Sequence, residues 1–398
     1  MITIQQATKI VLENRIDLSI ESVKLENAIG RQLREDLIAD RDFPPFHRVA
    51  MDGIAIRFAD FENGQRTFPI VGVQAAGSPQ LSVTESSVCA EVMTGAMLPK
   101  GVDTVIRYED ILIENNKATI QIDNIAFGKN IHKKGTDRVE GDILVKEGKI
   151  ISSAEIGVAA TVGKSELKVS QLPKVAIIST GDELVNVNEK PEAYQIRSSN
   201  VYTISSLLQQ NQIQAELFHI VDNQQVTINK IKILLNDFDV LILSGGVSKG
   251  KFDYIPAALE TLNVEKLFHR VRQKPGKPFW FGKNANNKVV FALPGNPASS
   301  FMCTNRYFLP WLRASMNLQP FQYQYVALGE DFKFKANLQY FLQVKLTYKM
   351  NGQVTAKPIA GRGSGDLANL ADVDGFMELP AEKMEFKKGE IYPFIRFR

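Results

Sequence analysis

From Pro173 onward, short uninterrupted apolar runs alternate with amphipathic segments, and this alternation limits the possible folds more than any other feature of the chain. Val175-Ala-Ile-Ile178 and Val240-Leu-Ile-Leu243 contain no polar residue at alternate positions. Strands of that composition are buried on both faces, the pattern of a parallel sheet covered by helices. Residues 201–208 have helical spacing, 213–221 read as a strand, and 228–235 are helical again. That order predicts βαβ units and a mostly parallel, three-layer α/β domain over 171–318.

The flanks follow other periods. Residues 4–13 put Ile4, Ala7, Ile10 and Val11 on one helical face, with Thr3 as N-cap and Gln6 as its capping-box partner. A second amphipathic stretch, 25–37, also reads as helical, and Asp42-Phe-Pro-Pro-Phe46 then breaks any helix. From 47 to 138 the runs become short and alternating, as in Phe68-Pro-Ile-Val-Gly-Val73 and Ala118-Thr-Ile-Gln-Ile122. Helical character resumes where Ser152 or Ser153 can cap 154–162. The economical reading is a β-rich unit, 47–138, inserted into an elongated helical domain built from 1–46 and 139–170. Alternation of period two returns in Tyr340-Phe-Leu-Gln-Val-Lys-Leu346, so 319–398 should form a small C-terminal β domain.

Composition removes several function classes. The 398 residues carry 47 basic and 44 acidic side chains, a net of +3, which gives no bulk attraction to nucleic acid or membrane. Two distant cysteines, Cys89 and Cys303, and four histidines without CxxC or HExxH spacing do not build a zinc site. So few thiols point to a reducing setting. The start lacks the basic-then-apolar order of a secretory signal, and no apolar run reaches the ~20 residues that span a bilayer. A soluble, cytoplasmic protein is expected.

In an open α/β sheet, ligands bind beyond the carboxyl ends of the strands. Here those ends run into Ser179-Thr-Gly-Asp-Glu183, Val221-Asp222-Asn223 and Ser244-Gly-Gly-Val-Ser248, with Asp253 close behind. Glycine and small hydroxyl residues let backbone amides approach an anion. Carboxylates beside them would repel that anion unless a hard cation such as Mg²⁺ lay between. Lys274-Pro-Gly-Lys-Pro278 adds positive charge, and Pro294-Gly-Asn-Pro297 opens a helical stretch over 298–306 with Asn296 as N-cap and Pro297 at its first position. Taken singly, Ser-Gly-Gly is a common turn, proline-flanked lysines are usually solvated surface, and an acid after a strand is most often a cap. His47, His132, His219 and His269 read as structural or exposed, and Gly361-Arg-Gly-Ser-Gly365 as a flexible loop, because no βαβ unit surrounds it. The Walker pattern is absent and no nucleophile elbow occurs. Acids, hydroxyls and lysines together at successive strand ends favour a site for an anion with a metal ion.

These segments, with Ala50-Met-Asp-Gly-Ile-Ala55 and Met93-Thr-Gly-Ala96, occur in one order along the whole chain. In that order they closely resemble the molybdopterin molybdenumtransferases, the family that includes the C-terminal domain of gephyrin. The resemblance implies an L-shaped homodimer with four domains per subunit, 1–46 with 139–170 serving as linker and dimer domain and 171–318 as a molybdopterin-binding domain. It implies insertion of molybdate into the dithiolene of adenylylated molybdopterin, with Mg²⁺, releasing AMP and molybdenum cofactor. The adenylyltransferase that makes that substrate and the enzymes that accept the cofactor are implied as further partners.

The resemblance also assigns residues. Asp222 and Asp253 match acids linked to Mg²⁺ and nucleotide cleavage, and Glu183 a further functional acid. Gly245, Gly246 and Ser248 match the nucleotide and pterin phosphate loop. Lys274, Lys277, Pro278 and Ser299 match the molybdate side, with Pro294, Asn296 and Pro297 in the neighbouring turn. Asp52 and Thr94 belong to the inserted domain, which in the family reaches the partner's cleft, and Ser364 lies in the tail loop. The sequence departs from the family at Arg48-Val49, at Ile54, and at Gln343, where many members have arginine and where Lys345 or Arg362 would have to substitute. Two other readings compete: an ATP-using molybdopterin adenylyltransferase, similar over 171–316, and a non-catalytic scaffold of the gephyrin kind.

Overall fold

The computed structural model describes residues 1–247, 253–335, 337–359, 361, 363 and 365–398. Two compact units result, one of Met1–Ser22, Gly30–Gln32 and Lys168–Arg398, the other of Val23–Ile29 and Leu33–Leu167.

The first unit is organised by a six-stranded sheet in the order Glu216–Ile220, Val175–Thr180, Val240–Ser244, Val289–Leu293, Trp280–Lys283, Glu265–His269. The first four strands are parallel, and Trp280–Lys283 runs antiparallel to both of its neighbours. Every residue of Val240–Ser244 and Val289–Leu293 is buried, as the unbroken apolar runs require. Successive side chains leave a strand on opposite faces. Ile177, Ile242 and Phe291 therefore enter one core, with helices Asn200–Gln209 and Leu309–Ser315, while Ile178, Leu241 and Leu243 enter another, with Gln224–Asp237 and Ile255–Thr261. The domain is thus a three-layer sandwich with a sheet in the middle.

Helix Ile4–Glu13 has the expected capping box from Thr3 and Gln6. Its buried residues Ile4, Ala7 and Val11 join the first α/β core. The sequence reading grouped this helix with the N-terminal linker piece. The structure puts it against Leu309–Ser315, where Trp311 Nε1 donates to the Asn14 carbonyl at 2.9 Å. A ten-residue helix with one narrow apolar stripe gains stability only from a large apolar partner, and the aromatic cluster around Trp311 supplies it.

Residues 25–37 do not form the expected helix. Only Leu25–Asn27 makes a 3₁₀ turn, Gly30 takes a left-handed φ of 77°, and Leu37–Ile38 pairs antiparallel with Ile143–Val145. Leu33 likewise donates its amide to Lys149 O at 2.8 Å. Non-local pairing with the returning flank wins over local helical spacing. The same unit holds a mixed six-stranded sheet, Thr104–Arg107, Gly53–Ile56, Cys89–Val92, Thr67–Gln74, Lys117–Ile120, Ile111–Glu114.

At the C-terminus five strands close on themselves: Gln339–Tyr348, Val354–Pro358, Gln324–Leu328, Ile391–Arg396, Gly375–Leu379, and back to the first. Closure removes the exposed edges a small sheet would otherwise present. Gln273–Lys274 adds in parallel to Gln339 and Tyr340, so the α/β domain lends a strand to the barrel. The buried pair Arg306 Nε–Glu378 Oε1, 2.8 Å, joins the two parts again. No helix among the described residues is long and apolar enough to cross a membrane.

At the opposite ends of the parallel strands, Asp239 accepts from the Lys174 amide and from Lys288 Nζ, both at 2.9 Å, so one carboxylate joins the starts of three strands. Burial pushes its pKa up, but those hydrogen bonds and the lysine charges outweigh it and hold the group below its ordinary value of 3.8. A folded pKa below the unfolded one stabilises above the unfolded value and is lost as pH falls through the folded value. Asp239→Asn should therefore lower the urea midpoint at neutral pH, by on the order of 1 kcal/mol because the carboxylate is partly solvated. It should also flatten the acid-side loss of stability. An unchanged acid limb would contradict the role of Asp239.

Candidate functional site

The three central parallel strands end level. Ser179 is opposite Ser244, and Ser244 is opposite Leu293. The chain therefore leaves the sheet at one height through Thr180-Gly181, Gly245-Gly246 and Pro294-Gly295, and these turns line one cavity of about 650 Å³. Gly245 has φ 104°, and a Cβ there would lie 2.8 Å from Thr180 Oγ1; Gly246 has φ 67°, with a Cβ 2.8 Å from Ile255 Cγ1. Both the left-handed backbone and the lack of space demand glycine. The Gly245 amide donates to Leu293 O at 3.1 Å, which locks the second turn to the third.

Glu183, Asp222 and Asp253 bring carboxylates to the same cavity. Asp182, between the first two turns, is a loop acid instead: its Oδ1 accepts from the Asp222 amide at 2.9 Å. His269 Nε2 donates to the Val247 carbonyl at 2.9 Å. Burial pushes its pKa down, against the pull of that hydrogen bond and of Asp253, so His269 acts as a neutral support of the glycine turn.

Asn200 ties two walls together. Its Nδ2 donates to Ser244 Oγ at 2.8 Å and to the Gly295 carbonyl at 2.6 Å. A carbonyl can only accept, which fixes the amide's orientation. Sequence reasoning passed over this residue, and over residues 196–199, which also line the cavity. Ser198-Ser199-Asn200 reads as an ordinary polar entry to a helix; the only signal was its position just before helix Asn200–Gln209.

Of the residues singled out in the sequence, the structure brings together Glu183, Asp222, Asp253, Gly245, Gly246, Pro278, Pro294, Asn296 and Pro297. Asn296 holds the cap position of helix Pro297–Cys303 with Pro297 at its start, but its side chain makes no cap hydrogen bond. Lys274, Lys277 and Ser299 do not line the cavity. Lys274 Nζ lies over the rings of Phe334 and Tyr340, 5.2 and 5.7 Å from their centroids, because the strand it occupies pairs with the barrel. Lys277 is exposed beside the lining residue Pro278, and Ser299 is buried with its amide donating to Asn296 O at 3.0 Å. Asp52 and Thr94 pair in the other unit: the Thr94 amide donates to Asp52 Oδ1 at 2.5 Å and holds that carboxyl below its ordinary range. Ser248, Ser364 and Arg362 lie outside the described residues.

Gln343 does not reach the cavity either. Its buried side chain accepts from Asn369 Nδ2, which also donates to Ile359 O at 2.9 Å. Lys345 is exposed on the same strand. Among the described residues, no three His, Cys, Asp or Glu side chains converge as a metal site by themselves.

The level strand ends predict an effect. Gly245→Ala should accelerate amide exchange across residues 240–247 and lower the melting temperature, because the new Cβ meets Thr180. Wild-type exchange there would contradict the requirement for glycine.

Three family descriptions match the chain in succession: the MoeA N-terminal region (domain I and II) over residues 2–163, a probable molybdopterin binding domain over 176–314, and the MoeA C-terminal region (domain IV) over 325–397. A molybdopterin molybdenumtransferase from Synechocystis sp. is 38% identical over 397 residues, covering 99% of each chain. One from Staphylococcus epidermidis is 30% identical over 401 residues, covering 99% of this chain and 95% of its own. The crystal structure of a molybdopterin biosynthesis MoeA protein from Pyrococcus horikoshii superposes with a TM-score of 0.83 at 25% identity, covering 100% of both chains.

Proposed function

The chain belongs to the molybdopterin molybdenumtransferase (MoeA) family, and we propose that it inserts molybdate into the dithiolene of adenylylated molybdopterin, with Mg²⁺, releasing AMP and molybdenum cofactor. The observation that carries this reading is the cavity at the level strand ends, lined by the glycine turns and by Glu183, Asp222 and Asp253. A pyrophosphate-linked nucleotide needs both kinds of group. The side-chain-free turn at Gly245-Gly246 lets phosphate oxygens approach the backbone closely, and the polar turn around Asn200 gives the rest of the ligand hydrogen-bond partners.

The donor set suits Mg²⁺. Asp222 and Asp253 are hard oxygen donors, and an ion held by two carboxylates completes its shell from phosphate oxygens and water. When bound, the ion would neutralise charge on the phosphate bridge where it breaks. Asp222 and Asp253 bind and orient; Glu183, folded back over Gly181, borders the same space. Molybdate is written here as the second substrate, received on the side of Pro278 and the exposed Lys277.

The same reading takes the protein as a cytoplasmic homodimer of four-domain subunits, divided at 1–46 with 139–170, 47–138, 171–318 and 319–398, with helix Ile4–Glu13 packed on the α/β core. Its support is the family likeness. Asp52 and Thr94 would act from the inserted domain and Ser364 from the tail loop. Full-length relatives favour the transferase over the adenylyltransferase reading, whose likeness stops at the α/β domain.

The test is AMP release from adenylylated molybdopterin with Mg²⁺, with and without molybdate. Molybdate-dependent release with cofactor formation is expected. Asp253→Asn should slow it about 10²–10³-fold, the scale for losing one charge-stabilising group, at a temperature well below the variant's own melting transition. A wild-type rate would remove Asp253 from the reaction.

A further inference from the structure

A fully buried glutamine lies directly behind the lysine-bearing segment at the cavity edge. Gln273 is 0% exposed and all its side-chain polar atoms have protein partners. Its Nε2 donates to the Gly276 carbonyl at 2.9 Å and toward Cys303 Sγ at 3.5 Å. Its Oε1 accepts from the hydroxyl of Tyr307, which is itself 1% exposed. Gly276 has φ 88°, and a Cβ there would come within 2.7 Å of Cys303 Sγ and 2.8 Å of Gln273 Nε2. The turn is pressed against the amide without room to spare.

A buried amide in an apolar core is costly unless every group is paired. Phe279, 4.9 Å from Tyr307 by ring centroids, and Met302 surround this one. A methionine of similar size would pack there without polar groups to satisfy. What the amide supplies is direction. One end grips the carbonyl at the middle of residues 274–278, whose last member, Pro278, lines the cavity. The other end is held by Tyr307, ten residues along from Pro297, which also lines the cavity. Burial keeps the Tyr307 phenol neutral, so it remains a donor.

We infer that Gln273 and Tyr307 are positioning residues that set the Lys274-Pro-Gly-Lys-Pro278 segment against the helix beginning at Pro297, and so fix where Lys277 and Pro278 meet the oxyanion substrate. The inference rests on the transferase reading for the identity of that substrate. The tether itself is a property of the fold and can be tested without it.

Two variants separate positioning from stability. Tyr307→Phe removes one hydroxyl and leaves the amide oxygen unpaired, and Gln273→Met with Tyr307→Phe removes amide and hydroxyl together, so that the group losing its partner is the Gly276 carbonyl. Melting temperature, amide exchange over residues 274–278, and kcat and KM for molybdate in molybdate-dependent AMP release are measured on full-length protein. The double variant should melt no lower than Tyr307→Phe alone, because neither substituted side chain keeps a buried unpaired polar atom. Its exchange over 274–278 should stay faster than wild type, and its KM should stay raised about tenfold or more, as small misplacements of binding groups do, with kcat changed less. Recovery of exchange and KM together with stability would overturn the inference. If wild-type protein releases no AMP, the transferase reading fails, and exchange over 274–278 decides the tether alone: faster in the double variant sustains it, unchanged refutes it.

Discussion

Hydrogen-bond register across Val175–Thr180, Val240–Ser244 and Val289–Leu293 is the constraint on which the site depends. Strands buried on both faces feed different side chains into two close-packed cores, so sliding by one residue would exchange the rows each core is packed around. Held in that register, Ser179, Ser244 and Leu293 come out level, and whatever follows each of them is delivered to one place. Thr180-Gly181, Gly245-Gly246 and Pro294-Gly295 are the residues that follow. The cavity is therefore a consequence of core packing several residues away, and Asp239 at the far ends of the strands contributes to it by aligning their starts.

Supports are added to this frame from three directions. Asn200 joins the second and third turns, His269 holds the Val247 carbonyl, and Gln273 holds the segment leading to Pro278. Gln273–Lys274 is also the strand the α/β domain gives to the barrel. The closed barrel is thereby fastened to the edge of the cavity, a second time through the buried Arg306–Glu378 pair. Breaking such a pair strands a charge in the interior, so the barrel's position is strongly specified.

How much of this was legible in the sequence depended on whether the signal was local. Val175-Ala-Ile-Ile178 and Val240-Leu-Ile-Leu243 announced buried strands, and the polar residues after them marked the cavity. The capping box at Thr3 and a serine cap at 152 or 153 were legible because cap chemistry is local. Residues 25–37 were misread because their pairing partners, Lys149 and 143–145, lie over a hundred positions away. The same holds for Asn200, whose partners are Ser244 and Gly295, and for Lys274, whose ammonium faces the barrel rings. Gln343 shows a third case: a substitution that suggests a lost charge in a binding pocket is, in the fold, a buried amide paired with Asn369. Composition and periodicity carry no information about such contacts.

The most direct test of the account is where the nucleotide sits. A crystal structure of the protein with AMP and Mg²⁺ should place the phosphate at the Gly245-Gly246 turn, with the ion between it and the carboxylates of Asp222 and Asp253. AMP bound elsewhere on the chain, or bound at that turn with neither carboxylate near the ion, would contradict the claim that the level strand ends form the substrate site.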